Sequence, residues 1–206
     1  MPVNSRYNAI LIVGPTGAGK TPLGEYLEQN GLRGRFCCHF DFGEQLRRAA
    51  VEEHPALSIE DRRFLVHVLE TGALLENRHF YIAEAILREF ARQQMTRQDS
   101  VLVMNGLPRH VDQAGDVGRI AAIKAVIQLE CTAQTVCDRI AGNTGKDRCG
   151  RTDDDLDAIR NKLEIFNTRT LPLVDHYEKQ GVPVHRVAVA CHTTPDEIAD
   201  GFLKTL

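Results

Sequence analysis

The sequence predicts an α/β fold: a three-layer α/β/α sandwich around a five-stranded parallel sheet. Three observations predict it. Short β-branched or apolar runs recur at Ala9–Val13, Arg35–Phe40, Val101–Met104, Ala125–Leu129 and Val184–Val189. Helix-length segments separate them, and strands that alternate with helices close into a parallel sheet covered on both faces. The first strand runs straight into a glycine-rich turn and then a helical pattern. With 206 residues and 43% hydrophobic content, a single domain over residues 1–206 is expected.

The first helix is expected to begin within Gly17–Thr21 and to reach about Asn30, where Gly31 can close it. A second is expected from near Gly43 to about Glu53. Ser58, with Asp61 three residues on, has the form of a capping box and opens a third. The stretch from Ser58 to Gln94 is too long for one unbroken helix, and Gly72 is the expected break. Asp153–Gln180 reads as one long helix or as two that meet near Pro172. A last helix follows Thr194, with Pro195 suited to its first turn. Residues 142–152 are polar, glycine-rich and basic, the composition of a surface loop that could cover phosphates.

The net charge of −3 argues against a general nucleic-acid binder, which would ordinarily be basic. No apolar run approaches the roughly 20 residues of a membrane helix. Met1–Tyr7 is short and polar, so no leader is read there and a cytoplasmic location is expected. None of the six cysteines shows the Cys-x2-Cys spacing of a zinc site, and reduced thiols are expected.

The chemistry starts at Gly14-Pro15-Thr16-Gly17-Ala18-Gly19-Lys20-Thr21, which fits the Walker A pattern of P-loop nucleotide-binding proteins. Glycines let the backbone curl so that successive N–H groups point at phosphate oxygens. The helix that follows adds its positive end, worth about half a charge. Gly14, Gly17, Ala18 and Gly19 therefore form the cradle. Lys20 reaches the β- and γ-phosphates, and the Thr21 hydroxyl is the candidate ligand for Mg²⁺ bound with ATP.

The remaining motifs resemble the adenylate kinase family of nucleoside monophosphate kinases, in its short-lid form. Phe42-Gly43-Glu44-Gln45-Leu46-Arg47-Arg48-Ala49-Ala50 is similar to its Thr-Gly-Asp-x-Leu-Arg-x-Ala segment. Gly72-Ala73-Leu74-Leu75 resembles the turn that lines the acceptor base pocket. Asn105-Gly106-Leu107-Pro108-Arg109, continued to Gln113-Ala114, resembles Asp-Gly-Phe-Pro-Arg-x-x-x-Gln-Ala. Asp138-Arg139-Ile140, Arg151-Thr152-Asp153-Asp154 and Arg160-Asn161-Lys162-Leu163 resemble the lid and the helix after it.

The resemblance implies transfer of the γ-phosphoryl group of ATP to a nucleoside monophosphate, with AMP favoured because Gln113 matches the residue that reads adenine. Gly43, Arg47, Leu74, Leu75, Gly106, Arg109 and Gln113 would hold the acceptor. Arg139 would pack on the adenine of ATP. Lys20, Arg109, Arg148, Arg151 and Lys162 would meet the transferring phosphoryl group. Residues 42–96 would be the acceptor-binding helical insertion and residues 141–153 the lid. Partners would be ATP and the monophosphate alone, with a monomer as the default. UMP, CMP or another small acceptor stays open, as does a nucleotide-binding regulatory protein with weak catalysis.

Phe42, Asn143 and Lys162 depart from the pattern, and so does Asn105, where an aspartate usually orients water bound to magnesium. Slow or metal-sensitive catalysis is expected on that ground. Asn105→Asp is expected to raise activity at limiting Mg²⁺.

Overall fold

The computed structural model describes residues 6–145 and 156–203. Its sheet has five parallel strands: β1 Tyr7–Val13, β2 Cys37–Asp41, β3 Val101–Asn105, β4 Ala121–Glu130 and β5 Val184–Ala188. Their order is β2-β3-β1-β4-β5. The chain leaves β1 toward one edge and returns to β1's other flank at β4. That reversal puts a topological switch beside β1, and open α/β sheets bind ligands outside the carboxyl ends of their strands there.

Successive side chains of a strand point to opposite faces, and β1 shows the consequence. Ala9, Leu11 and Val13 enter one apolar cluster with Phe40, Leu102 and Met104. Ile10 and Ile12 enter the other with Val103, Leu23 and Leu27. Both faces are thus buried, which is why the strands read as continuous apolar runs rather than alternating ones. Strand β3 is buried along its whole length, Asn105 included.

There are nine α-helices among the described residues. Helix α1 Lys20–Asn30 and helix α9 Pro195–Leu203 cover one face. On α1, Gly24 packs against the His39 imidazole, and a Cβ there would collide with the ring. The other face carries α2 Phe42–Val51, α3 Ile59–Thr71, α4 Phe80–Gln94, α5 Val111–Gly118 and α8 Pro172–Lys179. Helices α6 Ala133–Ala141 and α7 Leu156–Ile165 flank the segment that joins them.

The expected boundaries have physical causes that the structure displays. Ser58 Oγ accepts from the Asp61 N–H at 3.1 Å, and the Ser58 N–H donates to Asp61 Oδ2 at 2.9 Å. Gly72 stops α3 in the left-handed region, at φ 64°. The long helical segment near Pro172 resolves into two helices joined by a π-helical turn, Phe166–Thr170. Strand β4 is longer than its apolar core suggested and starts at Ala121. Asp41 belongs to the end of β2, one residue past the expected limit. The lid positions Arg148 and Arg151, Cys149, and the start of a helix at Asp153 lie outside the described residues. No described helix is long and apolar enough to cross a membrane.

Candidate active site

The loop from Gly14 to Thr21 turns tightly because Gly17 and Gly19 take φ values of 75° and 95°. Side-chain-bearing residues rarely adopt that region. Gly19 is also the N-cap of α1, so the loop delivers the ligand position to the helix's positive end. Ala18 is fully buried and seals the loop onto the core rather than facing the cleft. The Lys20 ammonium lies against the loop itself, donating to the Pro15 carbonyl at 2.8 Å.

Arg139 fixes the loop from outside. Its Nε donates to the Gly17 carbonyl at 3.0 Å. Its Nη1 donates to the carbonyls of Ala190, Cys191 and Thr193 at 2.8, 3.0 and 3.1 Å. The guanidinium is buried and ties the phosphate loop to the segment between β5 and α9.

One cleft runs from the phosphate loop across the strand ends to α2 and α3. Gly14, Gly17, Gly19, Lys20 and Thr21 line it at the phosphate loop. Gly43, Arg47, Gly106 and Arg109 line it too, as does Lys162 of α7. Leu46, Val68, Leu69, Ala73 and Leu74 make the far wall apolar. Eleven of the residues singled out in the sequence therefore share one cavity: Gly14, Gly17, Gly19, Lys20, Thr21, Gly43, Arg47, Leu74, Gly106, Arg109 and Lys162.

Leu75 and Gln113 stand behind this wall. Leu75 packs in the core. Gln113 is fully buried, and its amide is engaged at both ends. Oε1 accepts from the Arg109 N–H at 2.9 Å, and Nε2 donates to the Leu75 carbonyl at 2.7 Å. Thr170 adds a third brace, donating to the Arg109 carbonyl at 2.8 Å. Dense surroundings hold the Arg109 guanidinium pKa below its ordinary value, while nearby Asp41 works in the opposite direction. A cation desolvated in this way gains from an incoming anion.

Sequence reasoning missed Asp41. It is buried and it lines the cleft. The Thr21 hydroxyl donates to Asp41 Oδ2 at 2.6 Å. Asn105 Nδ2 donates to the same oxygen at 2.8 Å and to Thr21 Oγ1 at 3.2 Å. The Glu44 N–H donates to Asp41 Oδ1 at 3.0 Å, which makes Asp41 the N-cap of α2. Burial alone would raise the Asp41 carboxyl pKa. The hydrogen bonds from Thr21 and Glu44 outweigh it, and the pKa lies below the usual aspartate value. One signal was available: Asp41 ends a strand and stands three residues before Glu44, a helix-start pattern.

A glycine-rich loop at a helix N-terminus, a lysine and two arginines in one cleft suit phosphoryl transfer between two anions. The family model for adenylate kinase matches residues 12–182. The chain belongs to the adenylate kinase family. It is thus an ATP-dependent phosphotransferase of the nucleoside monophosphate kinase type. An adenylate kinase of Haloarcula marismortui is 26% identical, with 92% of each chain covered. One from Prochlorococcus marinus is 26% identical over 96% of this chain and 97% of its own. One from Stenotrophomonas maltophilia is 28% identical over 84% and 86%. Among solved structures, a gluconokinase from Sinorhizobium meliloti superposes with a TM-score of 0.57 at 16% identity, covering 97% of this chain and 92% of its own. That likeness concerns the fold alone.

The family uses magnesium with its ATP. Thr21 and Asp41 offer hard oxygen atoms in the cleft beside the phosphate loop, which is the ligand chemistry this ion accepts. The residues present fit it.

Proposed function

We propose that this kinase moves the γ-phosphoryl group of ATP onto AMP, giving two molecules of ADP. The observation that carries this reading is the cleft's acceptor end. Arg47 and Arg109 stand beside an apolar wall of Leu46, Val68, Leu69 and Leu74. Two cations next to an apolar slot suit a phosphate joined to a flat base. A polyol such as gluconate would leave its hydroxyls without partners on that wall, at a cost of roughly 1–3 kcal/mol for each buried group.

The phosphate loop holds the ATP phosphates on its N–H groups, and Lys20 swings from the Pro15 carbonyl to their oxygens. Arg47 and Arg109 hold the monophosphate in line with the γ-phosphorus. An oxygen of the acceptor phosphate forms the new P–O bond as the bond to the β-phosphate oxygen breaks, and ADP leaves with that electron pair. No side-chain base is required, because a phosphate with a second pKa of about 6 is mostly dianionic at neutral pH. Lys162, which lines the cleft, neutralises charge on the moving group in this reading, and Arg148 and Arg151 are assigned the same task from the lid sequence. Magnesium, when bound with ATP, supplies further charge neutralisation on the phosphates. Residues 42–96 act as the acceptor-binding part and residues 141–153 as the lid. ATP and the monophosphate are the only partners this reading needs, with the enzyme working in the cytoplasm.

The test is a coupled assay with ATP across AMP, UMP, CMP, GMP and gluconate. AMP is expected to give the highest kcat/KM, at least tenfold above the pyrimidine monophosphates. Turnover of every monophosphate except AMP would sink the assignment, and turnover of gluconate alone would sink the nucleotide acceptor altogether.

A further inference from the structure

We infer that Asp41, at the end of β2, supplies the negative charge that organises the metal shell of the donor site, with Asn105 as its hydrogen-bond donor. The inference rests on the magnesium-dependent donor reading and is independent of the acceptor.

An ionised carboxylate can only accept hydrogen bonds. The Thr21 hydroxyl therefore points its hydrogen at Asp41 Oδ2, 2.6 Å away. Asn105 Nδ2 takes one of the hydroxyl's lone pairs at 3.2 Å, and the other faces the cleft that Thr21 lines, where a cation can meet it. Asn105 must turn its NH₂ toward the same carboxylate, as the 2.8 Å contact records. Asp41 and Asn105 are direct partners across the β2–β3 ladder. The pair thus holds one negative charge in two facing positions, both buried.

This geometry reverses the expectation for Asn105→Asp. A second carboxylate would replace the donor 2.8 Å from Asp41 Oδ2. Two like charges at that separation oppose each other in a buried site. The single substitution should weaken the site rather than strengthen it. Exchanging both residues, Asp41→Asn with Asn105→Asp, restores one charge and one donor in mirror image. Asn is as good an N-cap as Asp, so α2 keeps its start.

The test is calorimetric titration with ATP, with no acceptor, in Mg²⁺ and in EDTA. The proteins are the wild type, both single variants and the exchange. Asp41→Asn is expected to cut the Mg²⁺-dependent gain in ATP affinity by about 10-fold or more, the usual effect of removing an outer-shell partner. Asn105→Asp is expected to reduce it as well, and the exchange to recover most of it. ATP binding in EDTA reports that each variant's phosphate loop is folded. Asp41→Asn with an undiminished gain, or an exchange no better than Asp41→Asn, would overturn the inference. A wild type with no Mg²⁺-dependent gain would overturn the magnesium reading and this inference with it. None of these outcomes touches the choice of AMP, which the acceptor panel decides.

Discussion

Gln113 joins two segments that are far apart in the chain. Its amide holds the Arg109 N–H on one side and the Leu75 carbonyl on the other. Gln113→Ala would leave both main-chain groups buried without partners, at about 1–3 kcal/mol each. The expected loss of stability is about 2–6 kcal/mol by urea unfolding. The KM for the monophosphate should rise severalfold while that for ATP stays close to wild type. Equal effects on both KM values would show that Gln113 braces the whole cleft rather than its acceptor end. The motif around Arg109 was readable because it is local. The partners of Gln113, and the place of Asp41 beside Asn105, were not. Both depend on contacts across strands and loops 38 and 64 positions apart.

At the scale of elements, helix ends were legible wherever a residue acts on its own backbone. Ser58, Gly72 and Pro172 each did so, and each marks a boundary. Helix α5 was less legible. It is short, carries Gly115 and ends at Gly118, so its stability comes from burying Ala114 and Val117. One contact joins elements that no local rule connects: Arg169, in the π-helical turn, pairs with Glu76 at 3.3 Å. The hydrogen bond from Arg169 is the main cause of a Glu76 pKa below its ordinary 4.5. A carboxylate with a depressed folded pKa adds stability that is fully present above the unfolded value. That stability is lost as pH falls through the folded one. Both side chains are substantially exposed, so the pair contributes less than about 1 kcal/mol. Glu76→Gln should cost that small amount at pH 7, and the gap between variant and wild type should close as pH drops below 4.5. A gap that persists unchanged at low pH would mean that Glu76 acts through packing rather than charge.

Across the whole molecule, the alternation of strands and helices was enough to predict a parallel sheet, but not its order. The order β2-β3-β1-β4-β5 sets Asn105 beside Ile12 of the phosphate-loop strand and Asp41 beside Asn105. It thereby brings both ends of the cleft to a single strand-end row, with Thr21 and Arg109 lining the same cavity. The proposed sharing of that cavity by ATP and a monophosphate makes a prediction that neither ligand makes alone. A compound that joins two adenosines through a chain of phosphates would occupy both ends in one binding event and avoid a second loss of translational freedom. At 100 times its Kd, such a ligand stabilises the folded state by about 2.7 kcal/mol. For a chain of this length that corresponds to a rise in Tm of roughly 5–10 °C. ATP and AMP, each at the same molar concentration, should give smaller shifts because each fills only one end. Arg47→Ala should bring the analogue's shift down to that of ATP while leaving the ATP shift in place. A dinucleotide that stabilises no more than ATP in the wild type would mean that the acceptor end does not take an adenosine monophosphate, whatever the donor end binds.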